Sequence, residues 1–126
     1  MKILITGTNG FIGSNLRRYF SDRGNEVTGL VRPTSDLHFL AEQKVRLVRG
    51  DLSRPEEIDF PPDVEYVVHS ASIVSDTPND ALCHDQIHVL AVNLVERPWR
   101  LRLPVKRFVY ISTALTLGFD GNDISE

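Results

Sequence analysis

The chain has 126 residues, 41% of them hydrophobic, with a formal net charge of −3, which suits one compact domain with a real core and leaves no room for a second. Basic and acidic residues are interspersed and no apolar stretch exceeds strand length, so neither nucleic acid nor a membrane is an expected partner. The single cysteine, Cys83, excludes an intrachain disulfide framework and a thiolate zinc cluster.

In chain order, Ile3, Leu4 and Ile5 form the short apolar run of a buried parallel strand. Polar and glycine residues interrupt it before a signal-peptide core can develop, which favours a first strand in a cytoplasmic protein. Gly7, Gly10 and Gly13 follow at a spacing of three, and behind them Ile12, Leu16, Tyr19 and Phe20 mark one face of a helix that Gly24 can end. A glycine turn between a strand and a helix N-terminus is a phosphate cradle: the backbone approaches an anion without Cβ interference, and the helix offers unpaired N–H groups.

Glu26-Val-Thr-Gly-Leu-Val31 reads as a second strand, stopped by Arg32-Pro33. Residues 36–43 suit a short helix and Val45-Arg-Leu-Val-Arg49 a third strand, ending at Gly50-Asp51. A turn or brief helix over 55–59 is broken by Pro61-Pro62, and Val64-Glu-Tyr-Val-Val68 is a fourth strand. The pattern predicts a helix from Asn79 to Arg97, ended near Pro98 with Trp99 exposed, and then a fifth strand, Lys106-Arg-Phe-Val-Tyr-Ile111.

Strands alternating with helices predict an α/β fold with a doubly wound parallel sheet of order 3-2-1-4-5. Ligands of such a sheet bind beyond the carboxyl ends of the strands, at the switch point between the first and fourth. Every polar feature of interest lies at one of those ends: the glycines after strand one, Arg32, Thr34 and Ser35 after strand two, Asp51 and Leu52 after strand three. His69-Ser-Ala-Ser72 follows strand four and Ser112-Thr113 follows strand five.

Those segments carry a resemblance. Thr6-Gly-Thr-Asn-Gly-Phe-Ile-Gly13, Gly50-Asp51-Leu52, His69-Ser-Ala-Ser72, Val92-Asn93 and Val105-Lys-Arg-Phe-Val-Tyr-Ile-Ser-Thr113 resemble the extended short-chain dehydrogenase/reductase family, the epimerase/dehydratase group. Within it, Leu30-Val-Arg-Pro-Thr-Ser-Asp-Leu37 is most similar to dihydroflavonol-reductase-like members and related sugar-epimerase-like proteins. The resemblance implies a Rossmann-type domain over residues 1–126. It implies that Gly7, Gly10, Phe11, Ile12 and Gly13 hold a pyrophosphate, that Asp51 and Leu52 meet an adenine, and that Ser70 and Ala71 line the ribose and nicotinamide. Thr113 stands at the family's serine/threonine position, whose hydroxyl bonds the substrate's carbonyl or carbinol oxygen.

Within that frame the end of strand two chooses the dinucleotide. A carboxylate there accepts from the ribose hydroxyls of NAD and repels the extra phosphate of NADP. Arg32 instead offers a guanidinium to that phosphate, with hydroxyls from Thr34 and Ser35 beside it. The expected cofactor is NADP; the alternative is NAD, with Arg32 stacked on adenine.

The resemblance also marks departures. Family members move a proton with a tyrosine and a lysine four residues later, but the tyrosines here are Tyr19, Tyr66 and Tyr110 and the lysines Lys2, Lys44 and Lys106. The chain is therefore expected to be the nucleotide-binding portion of a longer enzyme that reduces a carbonyl, or epimerises or dehydrates a nucleotide sugar, with a small-molecule substrate only in the complete enzyme. The alternative is a noncatalytic NADP(H)-sensing module. Without a later strand beside it, strand five leaves an apolar edge that invites pairing into a homodimer. His84 and His88, four apart, have the spacing of a zinc-protease pair but read better as a polar helix face, since no third ligand is evident. His69 reads as a residue bonded to the backbone rather than as a base.

Overall fold

The computed structural model describes residues 1–40, 45–71 and 81–112. Five parallel strands, β1 (Lys2–Thr6), β2 (Glu26–Val31), β3 (Arg46–Arg49), β4 (Tyr66–His69) and β5 (Arg107–Tyr110), form one sheet in the order β3-β2-β1-β4-β5. This is the predicted Rossmann-type order. Helix α1 (Phe11–Ser21) follows β1, and helix α2 (Ala81–Arg100) connects β4 to β5.

Apolar content explains which strand is central. Ile3, Leu4 and Ile5 pair with Val27, Thr28 and Gly29 on one side and with Tyr66, Val67 and Val68 on the other. Both edges of β1 are thereby paired, and both its faces are covered. On one face Leu4, Leu30 and Val67 pack with Leu52, Ile58, Phe60, Val64 and Leu94 of α2. On the other Ile3, Ile5, Val27 and Val68 pack against Leu16 and Phe20 of α1. At the amino edge of the sheet, Lys2 pairs with Asp63 and Lys106 with Glu65, ion pairs open to solvent that contribute little to stability.

Two expectations need adjusting. Of the short helix expected over 36–43, the described part forms a single 3-10 turn, His38–Leu40; the Asp36 carboxylate accepts the His38 N–H at 3.0 Å and turns the chain locally instead of opening a helix. Residues 41–44 lie outside the described residues. The second concerns Pro98, which sits inside α2 rather than ending it. A proline this close to a helix end forfeits only its own N–H bond, and two bonds then close the terminus: Arg102 N–H to the Trp99 carbonyl and Leu103 N–H to the Pro98 carbonyl, both at 3.0 Å. With Arg102 at φ 54° this is a Schellman closure, made by arginine where glycine is usual. Trp99 is exposed, as expected.

Candidate functional site

The turn after β1 is built by its glycines. Gly7 adopts φ +69° and donates its N–H to the Leu30 carbonyl at 3.0 Å, tying the turn to β2. A Cβ on Gly13 would lie 2.1 Å from the Gly7 carbonyl oxygen, so only glycine lets α1 start this close to the strand. Gly10, the N-cap of α1, accepts the Ser14 N–H at 2.9 Å and lines the cleft above the turn. No side chain caps the helix and no acidic residue occupies its first turn; the N–H groups there, those of Phe11 and Ile12 among them, keep their positive field for a ligand. The Phe11 and Ile12 side chains are exposed and lie outside the cleft lining, and Gly13 is buried beneath it. Under the turn, Thr8 is fully buried with its hydroxyl unpartnered.

After β2, Arg32-Pro33-Thr34-Ser35 forms a turn closed by Ser35 N–H to the Arg32 carbonyl at 3.0 Å, with proline at the second position, which its fixed φ favours. Arg49 of β3 donates to the Pro33 carbonyl at 3.0 Å and braces it. First and fourth residues of the turn, Arg32 and Ser35, face the cleft. Thr34, at the tip, is exposed and does not line it. The Arg32 side chain makes no hydrogen bond or close ion pair among the described residues. Asp36 does not line the cleft either; its carboxylate is engaged by His38.

After β3, Asp51 accepts the Ser53 N–H at 2.8 Å. The Ser53 backbone and hydroxyl, with the nearby Arg54 and Arg32 charges, hold its carboxyl below the usual carboxylate range. Leu52 is buried beside it, and its carbonyl accepts from Asn93 of α2 at 2.8 Å.

After β4, Ser70 and Ala71 form the wall opposite the glycine turn. The Ser70 hydroxyl donates to the Thr6 carbonyl at 2.9 Å, and Ala71 N–H donates to the Thr6 hydroxyl at 3.1 Å. Wall and turn touch at the base: a Cβ on Gly7 would lie 2.9 Å from Ala71 N and Cα. His69 closes the strand and is 1% exposed. Its partner is a side chain rather than the expected backbone, since Nδ1 lies 2.7 Å from the Thr6 hydroxyl.

These strand ends enclose one cleft of about 620 Å³, within the roughly 300–1,000 Å³ usual for small-molecule sites. It brings together Gly7, Gly10, Arg32, Ser35, Asp51, Leu52, Ser70 and Ala71 of the predicted residues. Among the lining residues that sequence reasoning missed are Thr6, Asn9, Ser53, Val89 and Leu90. Asn9 and Ser53 adjoin predicted positions, whereas Val89 and Leu90 come from α2, whose tilt over the sheet has no signature in periodicity. Thr113 and Ser72 lie outside the described residues. Of the histidine pair, His88 is exposed on α2 and the side chain of His84 lies outside the described residues.

A family model described as the NAD dependent epimerase/dehydratase family matches residues 3–126. The chain belongs to that family. It is 31% identical over 121 residues to sterol demethylase protein B of Methylococcus capsulatus, covering 95% of this chain and 37% of that one. Among solved structures, gox2253 superposes with a TM-score of 0.79 at 30% identity, over 92% of this chain and 35% of that one. The Bordetella bronchiseptica enzyme WbmH, solved in complex with NAD+, superposes with a TM-score of 0.69 at 27% identity, over 93% of this chain and 40% of that one. This epimerase/dehydratase-family chain thus spans little more than a third of the length of the relatives it matches.

Proposed function

We propose that the cleft binds NADP(H) and that the chain is the nucleotide-binding part of an enzyme that reduces a carbonyl, or epimerises or dehydrates a nucleotide sugar. The observation that carries the reading is the meeting in one cleft of an uncapped glycine-loop helix with Arg32, whose guanidinium makes no hydrogen bond or close ion pair among the described residues. The NAD+ complex of WbmH supports a dinucleotide in general. Arg32 and Ser35, in place of a carboxylate at the end of β2, support the extra phosphate.

Each residue then has a task. The backbone from Gly7 to Gly13 receives the pyrophosphate, with Phe11 and Ile12 contributing N–H groups rather than side chains. Asp51 accepts from the adenine amino group, Leu52, Val89 and Leu90 pack on the ring, and Ser70 and Ala71 border the ribose and nicotinamide. Thr113 orients the substrate oxygen. The nicotinamide, when bound, supplies or accepts a hydride; no tyrosine within these 126 residues precedes a lysine by four, so the chain's own part is to bind and orient. The second reading is a noncatalytic NADP(H)-sensing module. A Tyr-x-x-x-Lys encoded downstream of residue 126 supports the enzyme, and its absence from the complete reading frame supports the sensor. The reading includes self-association along β5, which has a paired neighbour on one side only among the described residues.

Titration with NADPH and NADH tests the cofactor assignment. The parent chain is expected to prefer NADPH, and Arg32→Ala to lose about tenfold or more of that affinity, as for a charge-assisted bond of about 1.5–3 kcal/mol. Equal affinities of the parent for the two nucleotides would overturn the NADP assignment.

A further inference from the structure

We infer that His69 is a positioning residue for the cleft: through the Thr6 hydroxyl it holds the 70–71 wall against the glycine turn at the spacing a dinucleotide requires. The inference rests on the reading of the cleft as an NADP(H) site. His69 does not itself line the cleft, whereas Thr6, Gly7, Ser70 and Ala71 all do.

The arrangement of the three groups follows from which partners the Thr6 hydroxyl has. The Thr6 hydroxyl has one hydrogen to give, and its oxygen already accepts the Ala71 N–H at 3.1 Å. Its second lone pair is open, but that hydroxyl has no other hydrogen-bond partner among the described residues, so its hydrogen is assigned to His69 Nδ1, 2.7 Å away. This assigns the neutral imidazole with its proton on Nε2. The surroundings keep it neutral: His69 is buried beside the Tyr110 and Phe108 rings, 5.3 Å and 6.3 Å between centroids, and burial pushes its pKa down. The relay therefore runs from β5 rings to imidazole, to hydroxyl, to the Ala71 N–H.

The relay matters because the two sides of the cleft meet at its base without slack. With only 2.9 Å between Ala71 and the place of a Cβ on Gly7, the backbones are packed at the limit glycine permits. The Ser70 hydroxyl bond to the Thr6 carbonyl holds the same wall from its other end. Remove the acceptor on His69, and the Thr6 hydroxyl has to turn its hydrogen elsewhere, which disturbs the lone pair that receives Ala71. A buried donor is then left unpaired, which is unfavourable, and the wall is free to move away from the turn.

The test is NADPH affinity of the full chain, with the fold of each variant checked by circular dichroism. His69→Leu keeps an apolar volume and removes the acceptor; affinity is expected to fall about tenfold or more. His69→Asn, whose carbonyl oxygen can stand near the Nδ1 position, is expected to restore affinity to within about threefold of the parent. Thr6→Val, close in shape, is expected to match His69→Leu, and the double variant to lose no more than either alone. Should His69→Leu fail to fold, Thr6→Val decides. Parent-like affinity in His69→Leu or Thr6→Val, or a His69→Asn as weak as His69→Leu, would overturn the positioning role. A parent chain that binds neither NADPH nor NADH would instead overturn the cleft's assignment, and the inference with it.

Discussion

Three glycines at one spacing do three different things, which only the folded structure separates. Gly7 needs its positive φ and its contact with Ala71, Gly13 needs the absence of a Cβ against the Gly7 carbonyl, and Gly10 leaves the cleft floor open. Replacement by alanine should therefore split stability from binding. Gly13→Ala meets a backbone oxygen at 2.1 Å and is expected to lose about 1–3 kcal/mol or more by urea unfolding. Gly10→Ala meets the same oxygen at 3.3 Å, a contact that gives by a few tenths of an ångström, so it should remain folded while NADPH binding weakens. The opposite pattern would contradict the roles given to the two residues. The spacing announces the motif and not this division. Gly29 makes the same point: in β2 it looks like a weak strand residue, yet a Cβ there would lie 2.3 Å from the Thr8 hydroxyl, so it seats the loop of the neighbouring strand. Thr34 lies outside the cleft lining for a related reason, since facing in or out of a four-residue turn depends on its closing bond and not on composition.

At the scale of elements, the strands were legible because each is a short apolar run with punctuation at both ends, and their boundaries held to within two residues. The end of α2 was less so. The rule that proline stops a helix counts the lost N–H, and near a terminus that loss is a single bond which the Schellman closure at Arg102 outlasts. β5 is the element with the most exposed consequence: Val109 and Tyr110 are 41% and 43% accessible on an edge strand. Unpaired strand edges with apolar side chains recruit other edges. Sedimentation of the chain is expected to show mass rising with concentration, and Val109→Lys to suppress it. A single monomer boundary at every concentration would remove the proposed self-association.

For the molecule as a whole, sheet order and the location of the site follow from one rule. Right-handed crossovers around a central β1 leave a switch point between β1 and β4, and the cleft's polar groups gather at that carboxyl edge, while exposed ion pairs such as Lys2 with Asp63 occupy the other. What this rule does not supply is the helical wall of the cleft, because the tilt of α2 is set by tertiary packing of Leu94 and by the Asn93 bond to Leu52. The central claim, that the carboxyl edge holds a dinucleotide, is tested most directly by following the backbone amides of the labelled chain by NMR as NADPH is added. Saturable shifts are expected at Gly7, Gly10, Phe11, Ser35, Asp51 and Ala71, with Lys2, Asp63, Glu65 and Lys106 at the amino edge unmoved. Shifts confined to the amino edge, or no saturable shift in the glycine turn, would contradict it.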